Sequence, residues 1–287
     1  MPVDFDTHNP LLAGLIGDPV GHSRSPAIHN AAFAYLGLRA HYELWPTAAA
    51  DLAARVDSLR APRILGANVT LPHKIAVLDL LDRRDPEVDV IGAANTIIRA
   101  PDGSLTGANT DCPAFLASLR ADAGFEPAGQ SAVVLGASGA ARAAAVALVG
   151  AGVARLVVVN RTVERAEALL GDVLAAADAD PQLIACAPDD TELRGWLAGA
   201  TLLVNATSLG WHTGESPLAA ELIPPEALVF DMVYRPTQLL HDAAARGART
   251  LDGAGMLVRQ AALAFERWTG RAAPLDVMRT AFASYEL

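Results

Sequence analysis

A set of polar residues, Ser23, Ser25, Asn68, Thr70, Lys74, Asn95 and Asp111, stands mostly at the ends of short apolar runs in the first part of the chain. Together they supply hydroxyls, amides, one ammonium and one carboxylate. That donor set suits a small polyhydroxylated acid, of sugar or cyclitol type, better than a lipid or a peptide. Taken singly, each also has a blander reading. Ser25 is placed to be the N-cap of a helix with Pro26 in its first turn, Asp111 the N-cap of a helix beginning near Pro113, and Asn95 a strand-end hydrogen bonder. Their joint placement is what carries information.

A second constellation begins at Val133-Val134-Leu135-Gly136-Ala137-Ser138-Gly139-Ala140-Ala141-Arg142, which reads as a buried strand, a small-residue loop and a helix start. Such a loop lets phosphate oxygens reach backbone N–H groups at a helix N-terminus, where the macrodipole also favours anions. Against G-x-G-x-x-G the fit is partial: Gly136 matches, while Ser138 and Ala141 hold the second and third glycine positions. Gly139, beside Ser138, offers clearance for a pyrophosphate; an ordinary tight turn is the alternative for this motif alone. The next strand ends in Asn160-Arg161-Thr162, where an NAD-binding unit usually carries Asp or Glu for the ribose hydroxyls. A carboxylate there would repel a 2′-phosphate, whereas a guanidinium beside an amide and a hydroxyl pairs with one. This position favours NADP over NAD, and over a merely solvated arginine. Asn205-Ala206-Thr207-Ser208-Leu209-Gly210 follows another buried strand at the same sheet edge, either facing the same ligand or forming a plain polar loop.

The elements that must position these residues follow from hydrophobic pattern. Apolar and amphipathic stretches alternate over 12–16, 25–36, 41–44, 48–59 and 64–69, the strand and helix rhythm of a parallel sheet with covered faces. Gly37 falls where a helix C-terminal glycine belongs. Open parallel sheets bind ligands beyond the carboxyl ends of their strands, which is where Ser23, Ser25, Asn68 and Thr70 fall. The runs 96–99 and 105–107 flank Pro101-Asp102-Gly103 and predict a β-hairpin. From Ser131 the rhythm restarts: strands at 132–135, 156–159, 202–204 and 228–230, with helices to about 150 and over 164–176. Residues 253–287 predict two helices, apolar enough (Leu257, Val258, Leu263, Phe265, Trp268) to return and cover the first sheet. The fold class expected is thus α/β: a mostly parallel substrate-binding and catalytic domain (1–110 plus 253–287) and a doubly wound, Rossmann-type nucleotide-binding domain (111–252).

The 287 residues are 52% hydrophobic and 19% charged, enough apolar material for two cores and too little charge for disorder. The formal net charge is −10. With no Lys/Arg-rich run, nucleic acid and anionic membrane surfaces are poor partners, and a small-molecule ligand is expected. The window 140–159 is the most apolar, yet it carries Arg142 and Arg155 and two glycines, so no bilayer span is read. Cys112 and Cys186 are the only cysteines, which excludes a disulfide scaffold. His8, His22, His29, His41, His73, His212 and His241 are scattered with no metal-ligand spacing, so no metal is expected. His22 and His73 lie within the polar motifs, as pocket-tuning groups. The first ten residues show no export signal, and a cytoplasmic location is expected.

Eight motifs, in order, carry a family resemblance: Gly17-Asp18-Pro19-Val20-Gly21-His22-Ser23-Arg24-Ser25-Pro26, Asn68-Val69-Thr70-Leu71-Pro72-His73-Lys74, Gly92-Ala93-Ala94-Asn95-Thr96, Asn109-Thr110-Asp111, Asn160-Arg161-Thr162, Asn205-Ala206-Thr207-Ser208, Phe230-Asp231-Met232-Val233-Tyr234 and Asp252-Gly253-Ala254-Gly255-Met256-Leu257-Val258-Arg259-Gln260. Over 12–270 the chain resembles the shikimate dehydrogenase family. The resemblance implies an NADP-dependent oxidoreductase acting on a CH–OH group, reversibly reducing 3-dehydroshikimate to shikimate in the chorismate route to aromatic amino acids. It implies that Ser23 and Ser25, helped by Tyr234, hold the substrate carboxylate, and that Asn68, Thr70, Asn95 and Gln260 fix ring hydroxyls. Lys74 and Asp111 would be the catalytic pair. NADP(H) would lie on Gly136, Ala137, Ser138, Gly139, Ala140, Asn160, Arg161, Thr162, Thr207, Ser208 and Met232, with Gly253 and Met256 flanking the nicotinamide end. The chain departs from the family pattern at Cys112-Pro113-Ala114, at Ser138, and in the short step from Tyr234-Arg235-Pro236 to Leu239-Leu240. Alternatives kept open are a quinate/shikimate or aminoshikimate dehydrogenase, and a non-catalytic ligand-sensing regulator. A monomer or homodimer fits equally.

Overall fold

Seven consecutive residues without a charge, Leu11–Gly17, form the strand β1, which pairs in parallel with a neighbour on each side: β2 (Ala40–Pro46) and β3 (Ile64–Val69). A strand covered on both faces has no use for polar alternation. The structure, a computed structural model, describes residues 5, 9–175, 180–211 and 214–284. It divides into two compact units, Met1–Thr110 with Val258–Leu287, and Asp111–Leu257.

Between β1 and β2 lies the helix α1 (Ser25–Tyr35), and between β2 and β3 lies α2 (Leu52–Ser58) behind a 3-10 turn at Ala49–Asp51. Leu36 closes α1 and Gly37 follows at φ 64°, with Leu38 N–H returning to the Phe33 carbonyl at 2.9 Å. Only glycine enters that backbone region without strain, so the stop expected from sequence is the stop observed. After β3 come β4 (Arg83–Arg84), α3 (Pro86–Ile91), β5 (Thr96–Arg99) and β6 (Leu105–Ala108). β5 and β6 are antiparallel neighbours, the expected hairpin, with Gly103 at φ 86° in the turn. The six-stranded sheet runs β2-β1-β3-β5-β6-β4.

The second unit opens on α4 (Asp111–Ala123), followed by β7 (Ser131–Leu135), α5 (Gly139–Gly150), β8 (Arg155–Val159), α6 (Val163–Ala175), β9 (Gln182–Cys186), α7 (Leu193–Ala198), β10 (Leu202–Asn205), β11 (Leu228–Asp231), α8 (Gln238–Ala245) and β12 (Arg249–Leu251). Every strand pair in this sheet is parallel, and the order is β12-β11-β10-β7-β8-β9. The order reverses at β7, whose neighbours are β8 and β10, so two helical connections leave in opposite directions and open a crevice at the carboxyl end of β7. Residue 176, the expected end of α6, lies outside the described residues.

Residues 253 onward form α9 (Ala254–Thr269) and α10 (Leu275–Ser284). The part of α9 in the first unit covers that unit's sheet, as its apolar content requires. Phe265 packs on Phe33 with centroids 5.2 Å apart, and Trp268 donates its indole N–H to the Ile97 carbonyl at 2.9 Å. Gly66 makes this approach possible, because a Cβ there would overlap both Ile97 O and Trp268 Nε1. Gly66→Ala is therefore expected to destabilise the first unit by about 1–3 kcal/mol through overpacking and a broken buried hydrogen bond. Thermal unfolding should show its Tm lowered by roughly 5 °C or more; an unchanged Tm would refute the packing account.

Candidate functional site

In the first unit the polar residues sit where β1, β3 and β5 begin or end, and they are joined by hydrogen bonds. Ser25 is not the N-cap that sequence suggests. It is the first helical residue of α1, with Arg24 at the N-cap, and Ser23 Oγ accepts the Ser25 N–H at 3.2 Å while the two hydroxyls are 3.1 Å apart. Two residues of spacing place Ser23 Oγ over the helix start, so both hydroxyls converge on one N-terminus. Similarly, the helix expected from Pro113 already begins at Asp111. Its carboxylate is buried in the helix's first turn, immediately after Thr110.

Asn68 is the penultimate residue of β3 and Asn95 precedes β5. The Asn68 amide donates to Asn95 O at 3.3 Å and to Thr96 Oγ1 at 3.1 Å, and its oxygen accepts the Tyr42 hydroxyl at 2.9 Å. Asn95 Oδ1 accepts the Thr110 N–H at 2.7 Å, while its amide donates to Thr110 Oγ1 at 2.9 Å and to Gln260 Oε1 at 3.4 Å. Asn68, Asn95 and Gln260 thus form one buried amide cluster, with donors and acceptors fixed. Thr70 is half-buried just past β3, its N–H on the Ile16 carbonyl at 2.8 Å. Lys74 is half-buried one turn further on, its carbonyl holding Ala94 N–H at 2.9 Å. His73 is engaged structurally: its Nε2 lies 2.7 Å from Thr47 O. Two members were not read from sequence. Thr110 was visible only as the middle of Asn109-Thr110-Asp111, and Tyr42 lies on an ordinary-looking strand.

In the second unit Gly136 leaves β7 at φ 105°, and a Cβ there would stand 3.2 Å from Ala206 O and 3.1 Å from the Thr207 methyl. Ser138, placed where a glycine is usual, is the N-cap of α5. Its Oγ accepts Ala141 N–H at 3.3 Å and its hydroxyl donates to Ala206 O at 3.0 Å. The side chain is thus committed to the neighbouring loop. With Ala137, Gly139 and Ala140 around it, the α5 N-terminus is a small-residue cradle of the kind a pyrophosphate fits, since the first N–H groups of a helix lack intrahelical partners. At the end of β8, Asn160 folds its amide onto Thr162 O at 2.8 Å, and Arg161 and Thr162 are exposed. Arg165, whose N–H meets Thr162 O at 3.1 Å, adds a second exposed guanidinium one turn into α6. Its spacing from Arg161, four residues, was the unused signal.

Ser208 follows Thr207 past β10. Gly253 packs directly on the Met232 backbone, where a Cβ would overlap Met232 O, and donates its N–H to Val233 O at 3.2 Å. Met256 is buried one turn later. Tyr234 is half-buried and edge-on to Trp211, centroids 4.7 Å apart. Lys74 belongs to the first unit and Asp111 begins the second. Among the described residues no group of His, Cys, Asp or Glu could hold a metal ion, and no helix is long and apolar enough to cross a membrane. His8 and His212 lie outside the described residues.

A reversing parallel sheet with a glycine turn at its switch point, in one chain with an α/β unit lined by amides and hydroxyls, is the organisation of a two-domain, dinucleotide-dependent dehydrogenase. Family models described as Shikimate dehydrogenase substrate binding domain, Shikimate / quinate 5-dehydrogenase and Shikimate 5'-dehydrogenase C-terminal domain match residues 15–97, 120–185 and 253–281. The chain is 46% identical to the shikimate dehydrogenase (NADP(+)) of Symbiobacterium thermophilum, over 94% of this chain and 92% of that protein. It is therefore a member of the shikimate dehydrogenase family. Among solved structures, shikimate 5-dehydrogenase from Thermus thermophilus, in complex with NADP(H) and shikimate, is 40% identical with a TM-score of 0.83, covering 95% of this chain and 98% of that one. Quinate dehydrogenase from Corynebacterium glutamicum, in complex with NAD, is 32% identical with a TM-score of 0.85, covering 96% and 100%.

Proposed function

We propose that the chain reversibly reduces 3-dehydroshikimate to shikimate with NADPH. The observation that carries this reading is the near full-length similarity to NADP-dependent shikimate dehydrogenases. The buried cluster of Asn68, Asn95 and Gln260 supports it, since such a set recognises ring hydroxyls. In this reading Ser23, Ser25 and Tyr234 hold the carboxylate, and Asn68, Thr70, Asn95 and Gln260 orient the ring. The bound cofactor supplies the hydride. Lys74 stabilises the oxygen as it gains negative charge and donates the proton to it, and Asp111 orients the ammonium and a substrate hydroxyl. The substrate-binding and catalytic domain would be 1–110 plus 253–287 and the NADP-binding domain 111–252, with Asp111 and Tyr234 reaching the substrate from the second and Gly253 and Met256 reaching the cofactor from the first. Gly136, Ala137, Ser138, Gly139 and Ala140 cradle the pyrophosphate, and Thr207, Ser208, Met232, Gly253 and Met256 border the nicotinamide half. Asn160, Arg161 and Thr162 receive the 2′-phosphate. The enzyme would act in the cytoplasm, as monomer or homodimer, without nucleic-acid or membrane partners; two free thiols and the acidic charge support this.

Initial rates for shikimate and quinate, each with NADP and NAD, test the reading. Shikimate with NADP should be fastest. Much faster quinate oxidation with NAD would favour the quinate alternative, and no NADPH consumption with 3-dehydroshikimate would favour the ligand-sensing one. Arg161→Ala should weaken NADPH binding about 10- to 100-fold, as expected for losing charge-assisted hydrogen bonds of roughly 1.5–3 kcal/mol, while NADH binding hardly changes. Equal losses for both cofactors would exclude Arg161 from the phosphate site.

A further inference from the structure

One buried carboxylate, to which the proposed chemistry gives no part, ties together loops at the carboxyl edge of the second sheet. Asp231, the last residue of β11, is 0% exposed. Its Oδ1 accepts from Asn205 Nδ2 at 2.9 Å and from Val233 N–H at 3.0 Å, and its Oδ2 accepts the Thr237 hydroxyl at 2.7 Å. Asn205, at the end of β10, passes the connection on. Its Oδ1 accepts both the N–H and the hydroxyl of Thr207, at 3.0 and 2.7 Å. The carbonyl between these two residues, Ala206 O, receives the Ser138 hydroxyl of the phosphate loop at 3.0 Å.

The chemistry of the pair gives this chain a direction. Both Asp231 oxygens accept here, so the Asn205 carboxamide turns its NH₂ to Asp231 and its oxygen to Thr207. The Leu209 carbonyl, 3.3 Å from the same NH₂, favours this orientation too, and Asp231 supplies the shorter of the two bonds that hold it; the reversed orientation would set an NH₂ group against the Thr207 N–H and an oxygen against the carboxylate.

We infer that Asp231 is a positioning residue for the cofactor: it fixes the orientation of Asn205, and through it holds the turn after β10 against the phosphate loop. The same carboxylate holds Val233 N–H, and so the segment bearing Met232 and Tyr234. This inference rests on the proposed NADPH-dependent activity, but it concerns binding and can be read without turnover.

Fluorescence titration of the purified full-length protein with NADPH tests it. Asp231→Ala should raise the NADPH Kd about tenfold or more. Asp231→Asn should restore most of the affinity, because its oxygen can still face Asn205 and Val233 while its NH₂ meets Thr237 Oγ1. Thr237→Val removes one contact of the carboxylate and the N-cap of α8; it should lower Tm yet leave the Kd within about twofold. If Asp231→Ala does not fold, Asn205→Ala carries the test with the same expected rise. Unchanged Kd in the variants that fold, or an equal rise in Thr237→Val, would overturn the inference. A wild-type protein that binds NADPH but reduces no 3-dehydroshikimate would overturn the proposed function alone, and one that does not bind NADPH would overturn both.

Discussion

Lys74→Ala should lower kcat in both directions by about 10²- to 10⁴-fold, the usual contribution of a positioned general acid or base, while KM for shikimate moves only a few-fold. In the proposed reading ring recognition rests on the hydrogen-bonded cluster of Asn68, Asn95, Thr96, Thr110 and Gln260, so loss of the ammonium should cost binding little. Hydroxyls and amides can orient a carbonyl, but none can both neutralise a developing alkoxide and deliver a proton to it. A kcat and kcat/KM that fall together would identify an interaction made only in the transition state. A raised KM at unchanged kcat would reduce Lys74 to a binding group, and near-normal turnover would remove it from the mechanism. Lys74→Arg separates charge from proton donation, since guanidinium keeps its proton and spreads its charge over a larger fork. It should recover little of the lost rate.

The parts of the molecule legible in sequence are those where one physical demand dominates. Strands buried on both faces, such as β1, β7 and β10, read as uninterrupted apolar runs. Gly37 marked a helix end because its φ of 64° admits little else. Edge elements were missed because backbone pairing, not side-chain pattern, makes them strands. β12 has two exposed residues of three and pairs only with β11, and β4 is a pair of exposed arginines beside β6. The polar residues of the first unit stand out in sequence by type and by placement near strand ends. What stayed hidden was who holds whom. Arg24 rather than Ser25 stands at the N-cap of α1, with Ser23 Oγ holding the Ser25 N–H, and Ser138 stands in a glycine position because its hydroxyl has Ala206 O to bind. Tyr42 reaches Asn68 across strands, from 26 residues away, a relation that no local spacing encodes. Asp231 sat within a recognised motif, yet its importance depends on Asn205 and Thr237, which come from other loops.

Acid should destabilise the first unit through a single imidazole. His29 on α1 is 0% exposed, stacked on Tyr42 at 4.3 Å and flanked by Trp268 at 5.2 Å. Neither ring nitrogen has a hydrogen-bond partner among the described residues. Burial pushes its pKa down from 6.5 to about 3, against a weaker upward pull from the neighbouring Asn68 side chain. The folded state therefore holds the ring neutral, while the unfolded chain takes up a proton as pH falls below 6.5. Between pH 6.5 and about 3 the unfolded state binds one proton more than the folded state, so stability falls with decreasing pH by up to about 1.4 kcal/mol per unit. By about pH 5 the loss is about 2 kcal/mol, and at about pH 3 it is about 4 kcal/mol. Above pH 6.5 His29 contributes no pH dependence. His29→Phe keeps an aromatic ring against Tyr42 and removes the titrating group, so denaturant unfolding of wild type and variant should diverge in slope between about pH 6.5 and 4 and run parallel above about 7. Because the comparison is of slopes, a constant packing difference from the larger ring does not obscure it. Parallel curves across the whole range would show that the imidazole titrates alike in the folded and unfolded states, and that burial against Tyr42 and Trp268 does not hold it neutral.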